Sequence, residues 1–367
     1  MNILSLDRQT DRQTDRQTDR QTDRQTDRQT DRQTDIFEIP SCRIEWIDIA
    51  KAVAIILVII GHTVKYGSDI RNIIFSFHMP LFFLLSGYTY KMANTATDLY
   101  SHIRKGCRHL LLPCIIVSII GIFASFILGD GNGIQQLWET VKRTGDALWW
   151  ASGVKVHSHP GAGAIWFLFS LFWAKTIIDG LNLMFPGKHM GYILAFVGLM
   201  GIAIGSKGKW LPQNMDVTLV VILFIYLGML WKKYQELIEK YAIPLFFLSI
   251  LIWVGCLHYH IYIEMAARHY PFLTLSILEA VCGSFAISSL CKALAQNTFI
   301  RRLTLFIGAH TLLIFLVHHL DWIFRPLWQM PSYWMTCVMR VCSVLLISLC
   351  IHVIRCYVIK FSRQVKP

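Results

Sequence analysis

Charged residues are scarce in this sequence. Only 16% of its 367 residues are Asp, Glu, Lys or Arg, whereas a typical soluble domain has about 25%. Hydrophobic residues make up 54% of the chain, and several uncharged apolar runs approach or exceed the roughly 20 residues that a helix needs to cross a bilayer. The shortage of charge therefore excludes a single water-soluble core and predicts an all-α, polytopic membrane protein.

The sequence also lacks the patterns of metal-binding and disulfide-rich proteins. Its ten cysteines form no CxxC pair, and half of them lie inside apolar runs, namely Cys114, Cys256, Cys282, Cys342 and Cys350. Cysteines in such surroundings behave as small buried hydrophobic residues. The sequence therefore predicts neither a metal site nor a disulfide framework.

A clustered basic stripe is absent as well, although the formal net charge is +12. The Lys and Arg residues are scattered between apolar segments and form no nucleic-acid recognition motif. Nucleic acid is therefore excluded as a partner. The positive charge is interpreted as a topology signal of a membrane protein, since basic residues accumulate in cytoplasmic loops.

The N-terminal segment consists of seven identical copies of Asp-Arg-Gln-Thr, from Asp7 to Thr34. It has no apolar residue and cannot bury surface, so residues 1–35 are predicted to be a disordered tail. Residues 36–367 then form the membrane domain. The codons GAC AGA CAG ACA encode the repeat and spell GACA three times. Because loss of one such unit would shift the reading frame, we interpret the repeat as an on/off expression switch of a bacterial gene.

The apolar runs predict about ten transmembrane helices in one bundle. No cleavable signal peptide is recognisable, so the first run is expected to stay as the first span. Lys and Arg are more numerous in the connections on the N-terminal side of the membrane, which predicts that both termini are cytoplasmic and that the protein lies in the bacterial inner membrane. The expected spans are 47–64, 70–90, 109–128, 164–184, 190–205, 216–231, 242–258, 271–291, 303–320 and 333–355.

Ionisable residues in the first span mark a candidate site. Such residues are costly in lipid and normally face the bundle interior or a wet cavity. At 100° per residue, Lys51 and His62 lie on one stripe, about 16 Å apart along the helix, and Asp48 is within one turn of Lys51. Two interpretations stand: a catalytic stripe, or an Asp48–Lys51 pair at the membrane edge with a packed His62.

The second span contains His78 directly before Met79-Pro80. Proline lacks an N–H and disfavours helix at the preceding residue, so the span is predicted either to kink here or to begin its regular part here. A break at membrane depth is tolerated against protein or water, which indicates a polar cavity near His78 and His62. Ser86-Gly87 further along indicates close helix packing or a catalytic role.

These two spans resemble the signature of the membrane-bound acyltransferase-3 family, and most closely the branch similar to fucose 4-O-acetylases. The resemblance covers nearly everything after Arg43. It rests first on Trp46-Ile47-Asp48-Ile49-Ala50-Lys51 with His62, and on Phe77-His78-Met79-Pro80-Leu81-Phe82-Phe83 with Ser86-Gly87. Weaker support comes from Ala164-Ile165-Trp166-Phe167-Leu168, Pro212 to Asp216 before Tyr226-Leu227-Gly228, Ile307-Gly308, and His318-His319.

The resemblance implies roles for particular residues. In that family a basic residue and a histidine separated by ten positions are associated with catalysis, which implies Lys51 and His62 here. A basic pair at the third span is associated with the acyl donor, which implies Lys105 and Arg108, with Arg104 adjacent. The implied donor is acetyl-CoA, used as a substrate and not as a resident cofactor.

Acyl transfer to a hydroxyl requires a base, and histidine suits this role at neutral pH. His62 is the predicted base. Asp48, His78, Trp166, Asp216 and His318 are predicted to support it or to bind the acceptor, with His319 as the alternative to His318. The long connection 129–163, with Trp149, Trp150, His157 and His159, is expected to cover part of the site.

The predicted function is transfer of an acetyl group from acetyl-CoA to a hydroxyl of a bacterial surface glycan such as lipopolysaccharide or capsule. A secondary transporter of a sugar or small anion would also show about ten spans with buried ionisable residues. The hydropathy shows no convincing inverted or parallel repeat, which favours the enzyme over the transporter. The sequence leaves open the sugar, the oligomeric state, and whether transfer is direct or proceeds through a covalent intermediate.

Overall fold

The computed structural model describes residues 44–128, 133–187 and 189–364. The tetrapeptide repeat lies outside these residues. The described part is helical and contains no β-strand. Its helices are α1 (Glu45–Gly61), α2 (Asp69–Tyr88), α3 (Ala96–Gly106), α4 (Leu112–Leu128), α5 (Ile134–Trp150), α6 (Trp166–Met184), α7 (Met190–Ser206), α8 (Met215–Lys233), α9 (Gln235–Lys240), α10 (Ala242–His258), α11 (Thr274–Leu294), α12 (Thr298–Ala309), α13 (Thr311–His319) and α14 (Tyr333–Gln364).

Short turns of other helix types connect these elements. A π-helical turn, Cys107–Leu111, joins α3 to α4, so that the two run on as one long helical segment. Turns of 3₁₀ helix precede α6 and α8, and another, Asp321–Leu327, follows α13. Residues Glu45–Ser348 form one compact unit, and the chain from Leu349 belongs to a second unit. All residues of the candidate site lie in the first unit.

Among the described residues, six helices are long and apolar enough to cross a membrane, and a seventh crossing results if α12 and α13, bent by 62°, count as one. These lengths establish a multi-pass membrane protein. Nine of the ten predicted spans each coincide with one helix, and the predicted span 303–320 falls on two, the end of α12 and α13. Helices α1, α7 and α10 have 17 residues each. At about 1.5 Å per residue they fall short of a hydrocarbon layer of about 30 Å, so the number ten is not confirmed.

Helix α2 is continuous through Pro80. Its first turn is capped by Ser68, whose side chain accepts a hydrogen bond from the Arg71 backbone N–H, and Asp69 adds a favourable negative charge there. The helix therefore begins eleven residues before Pro80. This excludes the alternative in which the regular helix begins at the proline.

Glycines set the closest helix crossings of the bundle. A Cβ on Gly87 of α2 would overlap the carbonyl oxygen of Ile225 in α8, and a Cβ on Gly228 of α8 would overlap that of Leu84. The same relation holds between Gly308 of α12 and the backbone of Asp48. Small residues at such positions let two helix backbones approach in a membrane. The geometry thus supports the packing interpretation of Ser86-Gly87.

Replacing Gly228 with Ala is expected to destabilise the protein by about 3 kcal/mol, because the methyl group would push α8 away from α2. The matched control is Gly255→Ala in α10, where an added Cβ meets nothing within 4 Å. That control should be neutral or slightly stabilising. Thermal unfolding of the two purified variants measures the difference, and equal melting temperatures would contradict the close crossing.

The connection 129–163, expected to be a long loop, contains helix α5. This helix is amphipathic, with Ile134, Trp138 and Trp149 exposed on the outside and Ala147 buried against the core. Thr140, Arg143 and Thr144 on its polar side line a cavity. The periodicity of Leu137, Val141 and Leu148 among polar residues is the sequence signal for this helix.

Candidate active site

A cavity of about 650 Å³ lies where α1 ends. Its volume is in the range of small-molecule binding sites. His62 follows directly after α1 and is exposed to this cavity. The other walls come from α4, α5, the segment before α6, the end of α13 and α14, and the polar lining includes Thr140, Arg143, His318, His319, Asp321 and Arg340. The connection 129–163 therefore contributes a wall of the cavity.

His62 faces a second imidazole across this cavity. The ring centroids of His62 and His318 are 5.3 Å apart, and Phe75 contacts the His62 ring edge-on. Nδ1 of His318 is 2.8 Å from the Asp321 carboxylate and donates a hydrogen bond to it. This bond fixes the tautomer and leaves Nε2 of His318 free as an acceptor. His319 also lines the cavity but packs against Gly163.

Arg340 of α14 joins this cluster to α1. Its guanidinium makes two hydrogen bonds with the Asp321 carboxylate, at 2.7 and 3.0 Å. Nη1 also donates to the backbone carbonyl of His62, at 3.0 Å, and to the Thr63 hydroxyl. A bidentate arginine–carboxylate pair is both strong and directional. Arg340 therefore holds the end of α1, and with it His62, in a fixed position relative to His318.

Asp321 is ionised in this arrangement. Burial of its carboxyl opposes ionisation, but the hydrogen bonds from His318 and Arg340 outweigh burial and lower the pKa of Asp321 below its ordinary value. The cluster thus contains one carboxylate shared by an imidazole and a guanidinium. The anion stabilises positive charge that develops on His318 when it takes up a proton.

His62 also borders a smaller cavity of about 100 Å³, on the side of α2. His78 and Trp166 line this second cavity, so the structure brings three predicted site residues, His78, Trp166 and His318, together around His62. His78 is buried and donates from Nδ1 to the backbone carbonyl of Ile74, at 2.7 Å. An ion pair between Arg71 and Glu264, with two hydrogen bonds at 2.8 and 3.1 Å, forms its polar wall.

Lys51 lies away from these two cavities. Its ammonium is 3.4 Å from the carboxylate of Asp48, one turn earlier on α1, and neither residue lines the cavities beside His62. The structure therefore contains the Asp48–Lys51 pair that the sequence suggested as the alternative, and among the described residues Lys51 does not line the two cavities that His62 borders. The common stripe is preserved, but 11 residues separate its ends by about 16 Å.

Asp216 is also placed elsewhere. It is buried at the start of α8, where Arg268 donates to it from Nε at 2.8 Å. Arg268 further binds Ser152 and Asn214, so this network ties together three of the connections between helices. Asp216 does not line either cavity beside His62. Its geometry is that of a structural anchor.

The three residues implied for the donor lie at the other end of α1, around α3 and the π-helical turn. Arg104, Lys105 and Arg108 are exposed. Lys105 lines a cavity of about 260 Å³ there, together with Lys175, His102 and Asp179. The structure thus separates a basic pocket near Lys51 from the histidine cluster near His62.

Sequence reasoning missed Asp321 and Arg340 at the histidine cluster and Lys175 at the basic pocket. All of them carry a recognisable signal. Arg340 and Lys175 are ionisable residues within predicted spans, the same criterion that identified Lys51. Asp321 follows His318 by three residues, the spacing at which side chains meet on one helical face.

The histidine cluster does not have the arrangement of a metal site. Within the described ranges, no group of three His, Cys, Asp or Glu side chains is positioned to hold a metal ion. Nδ1 of His318 is engaged by Asp321, and Nδ1 of His78 by a backbone carbonyl. His318 is thus arranged for proton transfer, with Nδ1 held by a carboxylate and Nε2 available as an acceptor.

Comparison with known proteins gives one finding. Neither a curated protein nor a solved structure matches the chain. The model of the acyltransferase-3 family, described as an acyltransferase domain, matches residues 44–354. This range contains every residue of the histidine cluster and of the basic pocket. The chain therefore belongs to the acyltransferase-3 family and is a membrane O-acyltransferase.

Proposed function

We propose that the protein transfers an acetyl group from acetyl-CoA to a hydroxyl of a bacterial surface glycan, as an enzyme of the branch that resembles fucose 4-O-acetylases. In this proposal it resides in the cytoplasmic membrane with ten spans and both termini in the cytoplasm. The short helices α1, α7 and α10 then cross a locally thinned or shielded layer inside the bundle. The basic pocket faces the cytoplasm, and the histidine cluster faces the opposite side.

The observation that carries the proposal is the pair of imidazoles at the cavity. His62 faces His318, and His318 is held by Asp321 in the tautomer that can accept a proton. A base beside a cavity of about 650 Å³ has room for a sugar hydroxyl at its mouth. Asp321 orients His318 beside the base, and Arg340 fixes the backbone that carries His62, which are the parts needed to activate a weak nucleophile.

The reaction follows from these groups. His62 accepts the proton of the acceptor hydroxyl as its oxygen bonds to the thioester carbonyl carbon. The carbon–sulfur bond then breaks, and the thiolate of coenzyme A takes the proton from the His62 imidazolium. His318, held by Asp321, shares the positive charge on His62 during this step. Arg340 acts as a positioning residue, because its hydrogen bonds are made to Asp321 and to the backbone of His62.

The donor reaches His62 along α6 in this proposal. Trp166 borders the small cavity next to His62, and Phe172 borders the basic pocket. These residues are six positions apart on one helix, or about 9 Å. An extended pantetheine arm can cover this separation from the basic pocket, and acyl relay through a covalent intermediate is the other route. The rings of Phe82, Phe167 and Phe315 pack together near this path.

Modification of a cell-surface glycan is also consistent with the interpretation of the N-terminal repeat as an expression switch. A GACA tract that gains or loses one unit would switch the enzyme off by frameshift, and cells would alternate between modified and unmodified glycan. Sequencing of the gene tests this part, because mixed synonymous codons in the repeat would remove it.

The proposed function is tested on isogenic bacterial cells that express the full chain in frame or a frame-shifted copy. We expect the surface glycan of the expressing cells to carry one additional acetyl group per modified sugar, seen by mass spectrometry. Mild alkali should remove it, since it is an ester. Identical glycans in the two strains, or proton-coupled solute uptake without acyl transfer, would contradict the proposal.

A further inference from the structure

One face of α5 forms a wall of the cavity beside His62. The residues of α5 that line it are Thr140, Arg143, Thr144, Ala147 and Leu148. Their spacing, which follows the i, i+3, i+4, i+7 pattern, places them on one side of the helix. Ala147, one turn beyond Arg143, belongs to the same buried cluster as Ile59 near the end of α1. Arg143 is therefore the charged residue on the side of α5 that faces the cavity.

The acidic residues nearest to Arg143 on α5 bind other partners. Glu139, one turn before it, accepts a hydrogen bond from Lys142 at 3.3 Å. Asp146, nearly one turn after it, is bound by Nδ1 of His159 at 2.8 Å. Across the described ranges of the chain, the Arg143 side chain forms no ion pair and no hydrogen bond. Its guanidinium therefore borders the cavity without an anion from the protein.

The cavity as a whole has an excess of positive charge. Among the described residues that line it, Arg143 and Arg340 are cations and Asp321 is the acid. Arg340 and Asp321 neutralise each other through their two hydrogen bonds, so the charge that remains is that of Arg143. A guanidinium has five N–H donors and no acceptor. Its planar shape matches the paired oxygens of a carboxylate or a phosphate.

Other walls of this cavity suit a sugar ring. Trp322 lines it and is 42% exposed, and an indole offers a flat apolar surface for the C–H groups of a sugar. Residues 160–163 line it as well. They include Gly161 and Gly163, the latter with a φ of 61°, and glycine lets a ligand approach the backbone closely. These walls suit a sugar that carries an anionic group better than a small inorganic anion.

We infer that the acceptor is an anionic glycan, and that Arg143 binds a carboxylate or phosphate group on it while a neighbouring hydroxyl reacts at His62. The inference rests on the proposed function and names the class of its acceptor. A volume of about 650 Å³ takes more of the glycan than the reacting hydroxyl alone. The anionic group does not react, so Arg143 is a specificity residue. Its contact is present before and during the reaction and acts mainly on KM.

Acetyl transfer to three forms of one acceptor tests the inference. Glycan from frame-shifted cells is used untreated, after reduction of its carboxyl groups with carbodiimide and borohydride, or after removal of its phosphates with aqueous hydrofluoric acid. For the wild type, one of the two treatments should lower kcat/KM by about tenfold or more, the effect of losing a charged hydrogen bond. The effective treatment identifies the anionic group as carboxylate or phosphate.

Arg143→Gln should show the same loss with untreated glycan, mainly as a higher KM, and should not distinguish the three forms. Arg143→Lys should retain part of the preference, because it keeps the charge. The matched control is Arg325→Gln, at an exposed arginine that lines neither cavity beside His62, and it should behave as the wild type. Equal kcat/KM of the wild type for all three forms would overturn the inference. A treatment that slows the wild type and Arg143→Gln by the same factor would do so as well.

Glycan binding gives a readout that does not depend on catalysis. Fluorescently labelled glycan is titrated into the purified full chain in phosphatidylcholine nanodiscs, and Arg143→Gln should raise Kd by about tenfold or more. The variant should melt at the wild-type temperature, because Arg143 is exposed and forms no ion pair with the described residues. Unchanged Kd in Arg143→Gln would overturn the inference. Displacement of the glycan in phosphatidylglycerol nanodiscs would assign Arg143 to a lipid headgroup and overturn it too.

The two readouts separate failure of this inference from failure of the proposed function. Acetyl transfer that is insensitive to the anionic group would overturn the inference and leave the acetyltransferase in place. Binding of the glycan through its anionic group, without any acetyl transfer by the wild type, would overturn the proposed function and leave the Arg143 contact in place.

Discussion

Replacement of His62 with Ala is expected to lower kcat/KM for acetyl transfer by about 10²- to 10⁴-fold, the usual contribution of a general base. The variant should fold normally. Its backbone carbonyl remains available to Arg340, and the imidazole it loses is exposed to a cavity. The measurement is transfer of labelled acetyl from acetyl-CoA to extracted glycan by purified protein in nanodiscs.

The control for this variant is His258→Ala. His258 is an exposed histidine at the end of α10, remote from both cavities beside His62, and its replacement should leave the rate within about twofold of the wild type. A His62→Ala variant that retains a third or more of the wild-type rate would exclude His62 as the base. In that case Nε2 of His318 becomes the group to test.

Asp321→Asn is expected to have the second largest effect, a loss of about 10²- to 10⁴-fold in kcat. The amide would no longer balance the charge of Arg340 or hold His318 in its tautomer. Stability should fall by about 1–3 kcal/mol, because a largely buried guanidinium loses its anion. Both changes are measured on one preparation, the first by labelled acetyl transfer and the second by thermal unfolding.

The pH dependence of stability provides an independent readout. The pKa of Asp321 is lower in the folded protein than its ordinary value of 3.8. Its stabilisation is therefore complete above that ordinary value and is lost as the pH falls through the folded-state pKa. The difference in stability between wild type and Asp321→Asn should be constant above about pH 5 and shrink below about pH 4.

The chain offers a matched control for Asp321. Asp146 and His159 form a second His–Asp pair, also at 2.8 Å, but both side chains are 36% exposed. Exposed pairs contribute little to stability. Asp146→Asn should therefore change neither the melting temperature nor the transfer rate appreciably. Similar losses in Asp146→Asn and Asp321→Asn would show that the buried cluster has no special role.

Much of the fold could be predicted from the sequence, because the apolar runs are long and their breaks are charged. Nine of the ten expected spans each coincide with one helix, and the close approach of Gly87 to α8 agrees with small-residue packing. The expected span 303–320 is divided between α12 and α13. The number of crossings could not be predicted. It depends on how far each helix continues beyond its apolar run, and α1 ends at Gly61, before the apolar pattern does. Helix α5 was not predicted as a helix, because its apolar face is narrow.

The site was predictable where one helix carries the signal. Periodicity placed His62 and Lys51 on one stripe, and the Pro80 motif placed His78 at the level of His62. Contacts between distant helices could not be predicted from one sequence. Arg340 is 278 residues from His62 in the chain, and nothing local indicates that they meet. The surroundings of Lys51 could not be predicted either. Its ammonium pairs with Asp48 on the same helix, but its charge also acts on Lys175, which lies on the distant helix α6.

The central claim is that His62 and the His318–Asp321–Arg340 cluster act as one catalytic unit. A double-mutant cycle on kcat tests it most directly, with His62→Ala, Asp321→Asn and the double variant compared in the same labelled acetyl-transfer assay. Residues that act as a unit are strongly non-additive, so we expect the double variant to be no more than about threefold slower than His62→Ala alone. A double variant whose loss equals the product of the two single losses would contradict the claim.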